Sequence, residues 1–234
     1  MARVGEHCFS VTLRRGGAVT TVVDVPDSFE PRKTPVFVMA HGAGADLRSD
    51  FMENFATLLW ERELCVVRFN FPYMEKTGKR PPNPMDQLID TYTDVLTASG
   101  RRTGAPPGPL FVGGKSMGGR IALNAVGLGR VKPSGLVYLG YPLHPPGKKD
   151  KLRIQGFQKV RQPHLFVQGD RDPLCDMDLL KKVRTQFRLP GALHVIEGGD
   201  HSFKQLAARR AVQASEIERA ADVIVKFVHR VLAR

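Results

Sequence analysis

Short apolar runs rich in Val, Leu, Ile and Phe alternate along this chain with longer amphipathic stretches, the pattern of a parallel sheet flanked by helices. Residues 8–14 and 19–25 alternate polar and apolar around Arg15-Gly16-Gly17 and predict an antiparallel hairpin. The unbroken run Val36-Phe37-Val38-Met39-Ala40 predicts a central strand buried on both faces. Further strands are expected over 65–69, 110–113, 135–139, 164–168 and 193–196. Helices are expected over 49–62, 86–96, from Ser116 to Gly127 or Gly129, 178–187 and 215–232. The first puts Phe51, Phe55, Leu58 and Leu59 on one face; the last aligns Ile217, Ala220, Ala221, Ile224, Phe227, Val228 and Val231 in one stripe. No linker splits this alternation, which predicts one domain over residues 1–234.

One junction in the pattern carries chemistry. Leu110-Phe111-Val112 runs into Gly113-Gly114-Lys115-Ser116-Met117-Gly118-Gly119 and then into the helical Arg120-Ile121-Ala122-Leu123. Strand, glycine-flanked serine and helix in that order form the nucleophile elbow of α/β-hydrolases. A serine hydroxyl is a weak nucleophile until a sharp turn thrusts it toward a base, and the turn leaves no room for β-carbons beside it. Gly114-Lys115-Ser116 also echoes the tail of a phosphate-binding P-loop. That motif requires a glycine at Pro109 and a loop where residues 110–112 read as strand, so it fails.

The partners such a serine needs appear in the required order. The strand over 164–168 runs into Gly169-Asp170-Arg171-Asp172-Pro173, and the last strand into Glu197-Gly198-Gly199-Asp200-His201-Ser202-Phe203. Asp172 is the expected acid, with a helix-initiating Asp-Pro turn as the competing reading. Asp170 follows the strand directly and is expected to brace the turn. His201 is the expected base; His144, in a loop over the same sheet edge, is the histidine that could replace it. Oxyanion donors are expected from the backbone N–H of Met117 and from the loop His41-Gly42-Ala43-Gly44-Ala45, with Ala43 first and Gly42 as the alternative. Tyr73, Tyr141, Leu143 and His144 lie in loops after parallel strands, where such sheets bind ligands. Arg68, Asn70 and Lys115 are expected to give that site cationic character, suited to an anionic substrate, unless Arg68 and Asn70 brace loops instead.

Composition adds limits rather than a function. The chain has 234 residues, 42% apolar and 25% charged, enough for one large α/β domain. No stretch approaches the roughly 20 apolar residues that cross a bilayer, and the N-terminal residues lack the apolar core of a signal peptide. Three scattered cysteines suggest neither a disulfide framework nor a zinc site, so a reducing cytoplasm is expected, with no metal or cofactor. The net charge of +12 would suit nucleic acid, but the basic pairs (Arg14-Arg15, Lys79-Arg80, Arg101-Arg102, Lys181-Lys182, Arg209-Arg210) are dispersed. Only Lys148 to Arg153 is dense, and no aromatic residues interleave for base stacking. A nucleic-acid partner is therefore not expected.

The strings Ala-His-Gly-Ala-Gly-Ala (40–45), Arg-Phe-Asn-Phe-Pro-Tyr-Met (68–74), Gly-Gly-Lys-Ser-Met-Gly-Gly-Arg (113–120), Leu-Gly-Tyr-Pro-Leu-His-Pro-Pro-Gly-Lys (139–148), Gln-Gly-Asp-Arg-Asp (168–172) and Gly-Asp-His-Ser-Phe (199–203) resemble a small family of bacterial α/β-hydrolases. That family is similar to dienelactone hydrolase and, more closely, to testis-expressed-type proteins and the hydrolase-like domain of a non-specific-lethal chromatin-complex subunit. The likeness spans residues 36 to 232. It implies an α/β-hydrolase three-layer sandwich without a large cap, and a triad at Ser116, Asp172 and His201. Dienelactone hydrolase has a cysteine where this chain has Ser116, so its particular activity does not carry over. The expected activity is cofactor-free hydrolysis of a small ester or thioester; a peptidase or acyltransferase would use the same residues. The eukaryotic relatives keep a non-catalytic scaffold as the alternative.

Overall fold

The computed structural model describes residues 5–76, 80–102, 109–205 and 213–233. Lys79, Arg209 and Arg210 of the basic pairs lie outside the described residues. Strands β1 (Glu6–Thr12), β2 (Ala18–Asp24), β3 (Val36–Ala40), β4 (Cys65–Phe69), β5 (Leu110–Lys115), β6 (Gly135–Leu139), β7 (His164–Gly169) and β8 (Gly191–Ile196) form one sheet in the order β1-β2-β4-β3-β5-β6-β7-β8. The first three strands of that order pair antiparallel and the rest parallel. Helices α2 (Met85–Arg102), α3 (Met117–Gly127) and α4 (Met177–Gln186) cover one face, and α1 (Asp50–Trp60) and α5 (Gln213–Leu232) the other.

The three layers follow from the unbroken apolar strands. Every residue of β3, β4 and β6 is buried, because both faces of the central sheet meet helices. On one side Ile89, Tyr92, Ile121 and Leu180 pack on Val38, Val112 and Tyr138; on the other Phe55, Leu59, Ile224 and Val228 pack on Phe37, Phe111 and Leu165. Between β6 and β7 the described chain forms only a short 3₁₀ turn, Phe157–Lys159, so no large cap covers the sheet edge.

Several boundaries move from their expected places by a few residues, three of them for a visible reason. The hairpin shifts toward the N-terminus, its first strand by two residues and its second by one, because Leu13 closes the turn, accepting from Gly16 N and donating to Gly17 O, both at 3.0 Å. Helix α2 continues past Leu96 because Ser99, one turn on from Val95, is still buried. Strand β8 starts early at Gly191, whose φ of 121° and whose position under the His164 carbonyl, 1.9 Å from where a Cβ would sit, admit only glycine. The Arg14-Arg15 pair is internal to the fold's charge pattern. Arg15 bonds Asp86 at 2.9 Å and Arg14 bonds Asp94 at 2.6 Å, on one i, i+4, i+8 stripe of α2 with Asp90 between them.

Candidate active site

The parallel strands β5, β7 and β8 end on the same sheet edge, and the loops leaving them meet there. At the end of β5 the chain turns into α3 through Ser116, whose φ of 50° and ψ of −111° are strained for any residue with a side chain. The turn is pressed against the end of β3. A Cβ on Gly114 would stand 2.1 Å from the Ala40 carbonyl oxygen, and one on Gly118 2.2 Å from the same atom. Both glycines of the motif are thus required by one carbonyl. Just before the turn, the buried Tyr92 hydroxyl donates to Val38 O at 2.6 Å and accepts from Gly113 N at 3.0 Å, tying β3 to β5.

Ser116 is the residue preceding α3, a position where serine ordinarily caps the helix, yet its side chain makes no capping bond. Its Oγ lies instead 2.8 Å from His201 Nε2, and His201 Nδ1 lies 2.7 Å from Asp172 Oδ2. One neutral imidazole satisfies both contacts: Nδ1–H donates to the carboxylate, and Nε2 presents its lone pair to the hydroxyl. The Asp172 side chain is completely buried, whereas the His201 ring is 24% exposed. A dry, oriented carboxylate behind a half-open imidazole can support proton abstraction from the serine by His201.

The Asp172 carboxylate is itself held. Leu174 N donates to Oδ1 at 2.8 Å, and Gln168 Nε2 donates to Oδ2 at 2.6 Å. Gln168 is oriented in turn by Tyr141 N, which donates to Oε1 at 2.8 Å. Leaving a buried carboxylate short of one donor costs about 1–3 kcal/mol, so Gln168→Leu is expected to lower kcat/KM about ten- to hundredfold with KM little changed. Steady-state kinetics on a p-nitrophenyl ester checks this; an unchanged kcat would show that the acid needs no such support. The loops carrying Asp172 and His201 also touch directly. A Cβ on Gly169 would come within 2.3 Å of Gly199 O, and Asp170 braces the pair by accepting from Gly198 N at 2.7 Å.

On the other side of Ser116 lies the loop after β3. A Cβ on Gly42 would contact Ser116 Cβ at 3.5 Å, so this loop rests on the elbow. His41 sets its course: Phe71 N donates to Nε2 at 3.0 Å, which leaves Nδ1–H to donate to Gly42 O at 2.8 Å. Burial lowers the His41 pKa and keeps the ring neutral, as this tautomer requires. Because the peptide is planar and trans, a Gly42 carbonyl drawn toward His41 turns the Ala43 N–H the opposite way. Met117 opens α3, so its N–H has no acceptor within the helix.

A family model for the alpha/beta hydrolase domain matches residues 33–229. The chain belongs to that family. Solved structures of the same fold include an alpha-beta serine hydrolase homologue from Coxiella burnetii, with a TM-score of 0.72 at 18% identity, covering 97% of this chain and 99% of that one. Est1E from Butyrivibrio proteoclasticus has a TM-score of 0.72 at 14% identity, with the same two coverages. A dienelactone hydrolase from Anabaena variabilis has a TM-score of 0.70 at 18% identity and covers 95% of this chain and 97% of that one. Among the described residues, no helix of this α/β-hydrolase is long and apolar enough to cross a membrane.

The residues expected to line a substrate site are largely drawn into the fold. Tyr141 is a core residue: its hydroxyl donates to Arg153 O at 2.8 Å and its ring packs on Tyr138, Phe157 and Phe166. His144 is 1% exposed and pins the loop to α4, with Nε2 accepting from Asp176 N at 3.0 Å, so it is not placed to replace His201. Tyr73 is 4% exposed, set edge-on to His41 with its backbone N–H on Asn83. Arg68 and Asn70 brace loops, Arg68 among buried carboxylates and Asn70 through Leu47 N. Lys115 points beneath the site rather than into it. The cationic pocket expected from these three is therefore absent, because their charges and dipoles are taken up internally. Sequence reading missed Gln168 and His41. A glutamine ending a strand before Gly-Asp-x-Asp, and a histidine between an apolar strand and glycine, were the only signals.

Proposed function

We propose that the protein is a serine hydrolase that cleaves small carboxylic esters or thioesters through an acyl-enzyme on Ser116. The observation that carries this is the His201 imidazole, hydrogen-bonded to Ser116 Oγ at 2.8 Å and to Asp172 at 2.7 Å. Ser116 Oγ attacks the carbonyl carbon while His201 Nε2 takes its proton, and the carbonyl π pair moves to the oxygen. The Met117 and Ala43 N–H groups stabilise that oxyanion, with Gly42 shaping the loop that offers the second donor. When the tetrahedral intermediate collapses, the proton on Nε2 passes to the leaving alkoxide or thiolate. Water, deprotonated by the same nitrogen, then attacks the acyl-enzyme and restores Ser116. Asp172 stays ionised throughout and holds the imidazolium.

The described residues form no large cap over the sheet edge, which favours small or flexible acyl groups over buried long chains. No charge on the substrate is needed by this arrangement. Labelling with a fluorophosphonate probe, followed by peptide mass spectrometry, tests the reading. Modification confined to Ser116 and lost in His201→Ala supports an activated nucleophile. A folded wild-type protein that does not label would overturn it and favour a scaffold on the same fold.

A further inference from the structure

Lys115 stands between the two elbow glycines, immediately before the nucleophile, and is only 8% exposed. Its side chain leaves β5 on the α1/α5 face, under the loop that carries the base. There Nζ donates to the backbone carbonyl of His201. The rings of Phe51 and Phe203 flank the ammonium at 5.2 and 5.6 Å from their centroids. Gly140 closes the cage: a Cβ there would stand 2.9 Å from Nζ and 3.1 Å from His201 O, so only glycine leaves room for the bond. The carboxylates acting on this cation are Asp172 and Asp200, both through space and both favouring its charge. A buried lysine that touches the backbone of the general base and sits one residue from the nucleophile has no packing rationale that Met or Leu would not meet better.

We propose that Lys115 is a positioning residue for the general base: its ammonium, bonded to the His201 carbonyl from inside the fold, fixes the backbone from which the imidazole reaches Ser116. This rests on Ser116 and His201 being the nucleophile and base. Burial pushes the lysine down to about 8, against the pull of Asp172 and Asp200. Above that pH the charge-assisted bond and the attraction to the two rings weaken together, and the loop carrying His201 loses its anchor. The linkage to stability runs the other way. An unfolded lysine holds its proton to about pH 10.4, so between about 8 and that value the unfolded chain binds more protons and the folded state gains stability as pH rises. Rate falling while stability rises through one pH window is a signature that a purely structural lysine would not give.

The rate of fluorophosphonate labelling at Ser116, measured from about pH 6 to about pH 10 beside the unfolding temperature, tests this on the whole chain. Wild type is expected to slow above about pH 8 while its Tm rises relative to Lys115→Met. Lys115→Met is expected to label about tenfold more slowly at pH 7, with no further fall above 8 and a Tm at or above that of wild type. Lys115→Arg, charged throughout, is expected to recover part of the rate and to lack the alkaline fall. With a p-nitrophenyl ester the loss should appear in kcat rather than KM. Equal rates in wild type and Lys115→Met, or a rate and Tm that fall together, would overturn the proposal while leaving the serine hydrolase intact. If Lys115→Met does not fold, a wild-type profile flat through pH 8 overturns it alone. Wild type that labels at no pH removes the hydrolase reading and this one with it.

Discussion

Ser116→Ala is expected to lower kcat on any ester substrate by about a millionfold, to the level left by the remaining binding groups, while the unfolding midpoint stays close to that of wild type. The two halves of this expectation come from different observations. The hydroxyl bonds His201 Nε2 and makes no capping bond to α3, so removing it deletes the proposed nucleophile and no helix contact. The unusual φ of 50° is imposed by Gly114 and Gly118 packed on the Ala40 carbonyl, and alanine inherits it unchanged. His201→Gln is expected to cost about as much, and the double variant no more than either single one, because the two residues act as a unit. Retained turnover in Ser116→Ala would remove the mechanism. A large drop in its Tm would mean that the hydroxyl supports the fold and that its placement near His201 is incidental.

The elbow was legible in the sequence because its constraints are local. A buried strand, a serine between glycines and an amphipathic helix are all read from consecutive residues, and their strain needs nothing distant to be inferred. Asp172 and His201 were legible for a related reason: each follows a recognisable strand, and strand order in the sheet brings β5, β7 and β8 to one edge. What the sequence concealed is where polar side chains go once the loops close. Tyr141 and Arg68 have the composition of pocket residues but meet inward partners, Arg153 further along the same loop in one case and Asp24 and Glu53 in other elements in the other. Gln168 was hidden because one strand-end glutamine must reach both a carboxylate four residues on and a backbone N–H across the sheet. Lys115 was misplaced for the same reason. A charged residue beside a nucleophile reads as solvent-facing, and only the packing of Phe51, Phe203 and Gly140 around it reveals that it faces inward.

Arg68→Met is expected to destabilise the fold by about 3–5 kcal/mol, a large share of the roughly 5–15 kcal/mol that holds a domain together. Arg68 is fully buried on β4, where Val22 of β2 and Met39 of β3 are its register neighbours. Its guanidinium meets Asp24 through two bonds, at 3.0 and 3.2 Å, Glu53 at 2.9 Å and the Leu47 carbonyl at 3.0 Å, with Glu6 at 3.7 Å. Arg48 bonds Glu6 and Glu53 from outside, but it is half-exposed and screened by solvent. Without Arg68, the buried Asp24 carboxylate loses its bidentate partner, and methionine offers no donor in return. The loss follows from the lost guanidinium bonds to a buried carboxylate, so Arg68→Met combined with Asp24→Leu should recover much of it. Urea unfolding of the two singles and the double measures that coupling directly. A midpoint for Arg68→Met close to wild type would show that water reaches Asp24 and that the network is not sealed. Because Arg68 also holds Leu47 O while Asn70 holds Leu47 N, the variant should additionally loosen the loop that offers Ala43, slowing Ser116 labelling well below the unfolding temperature.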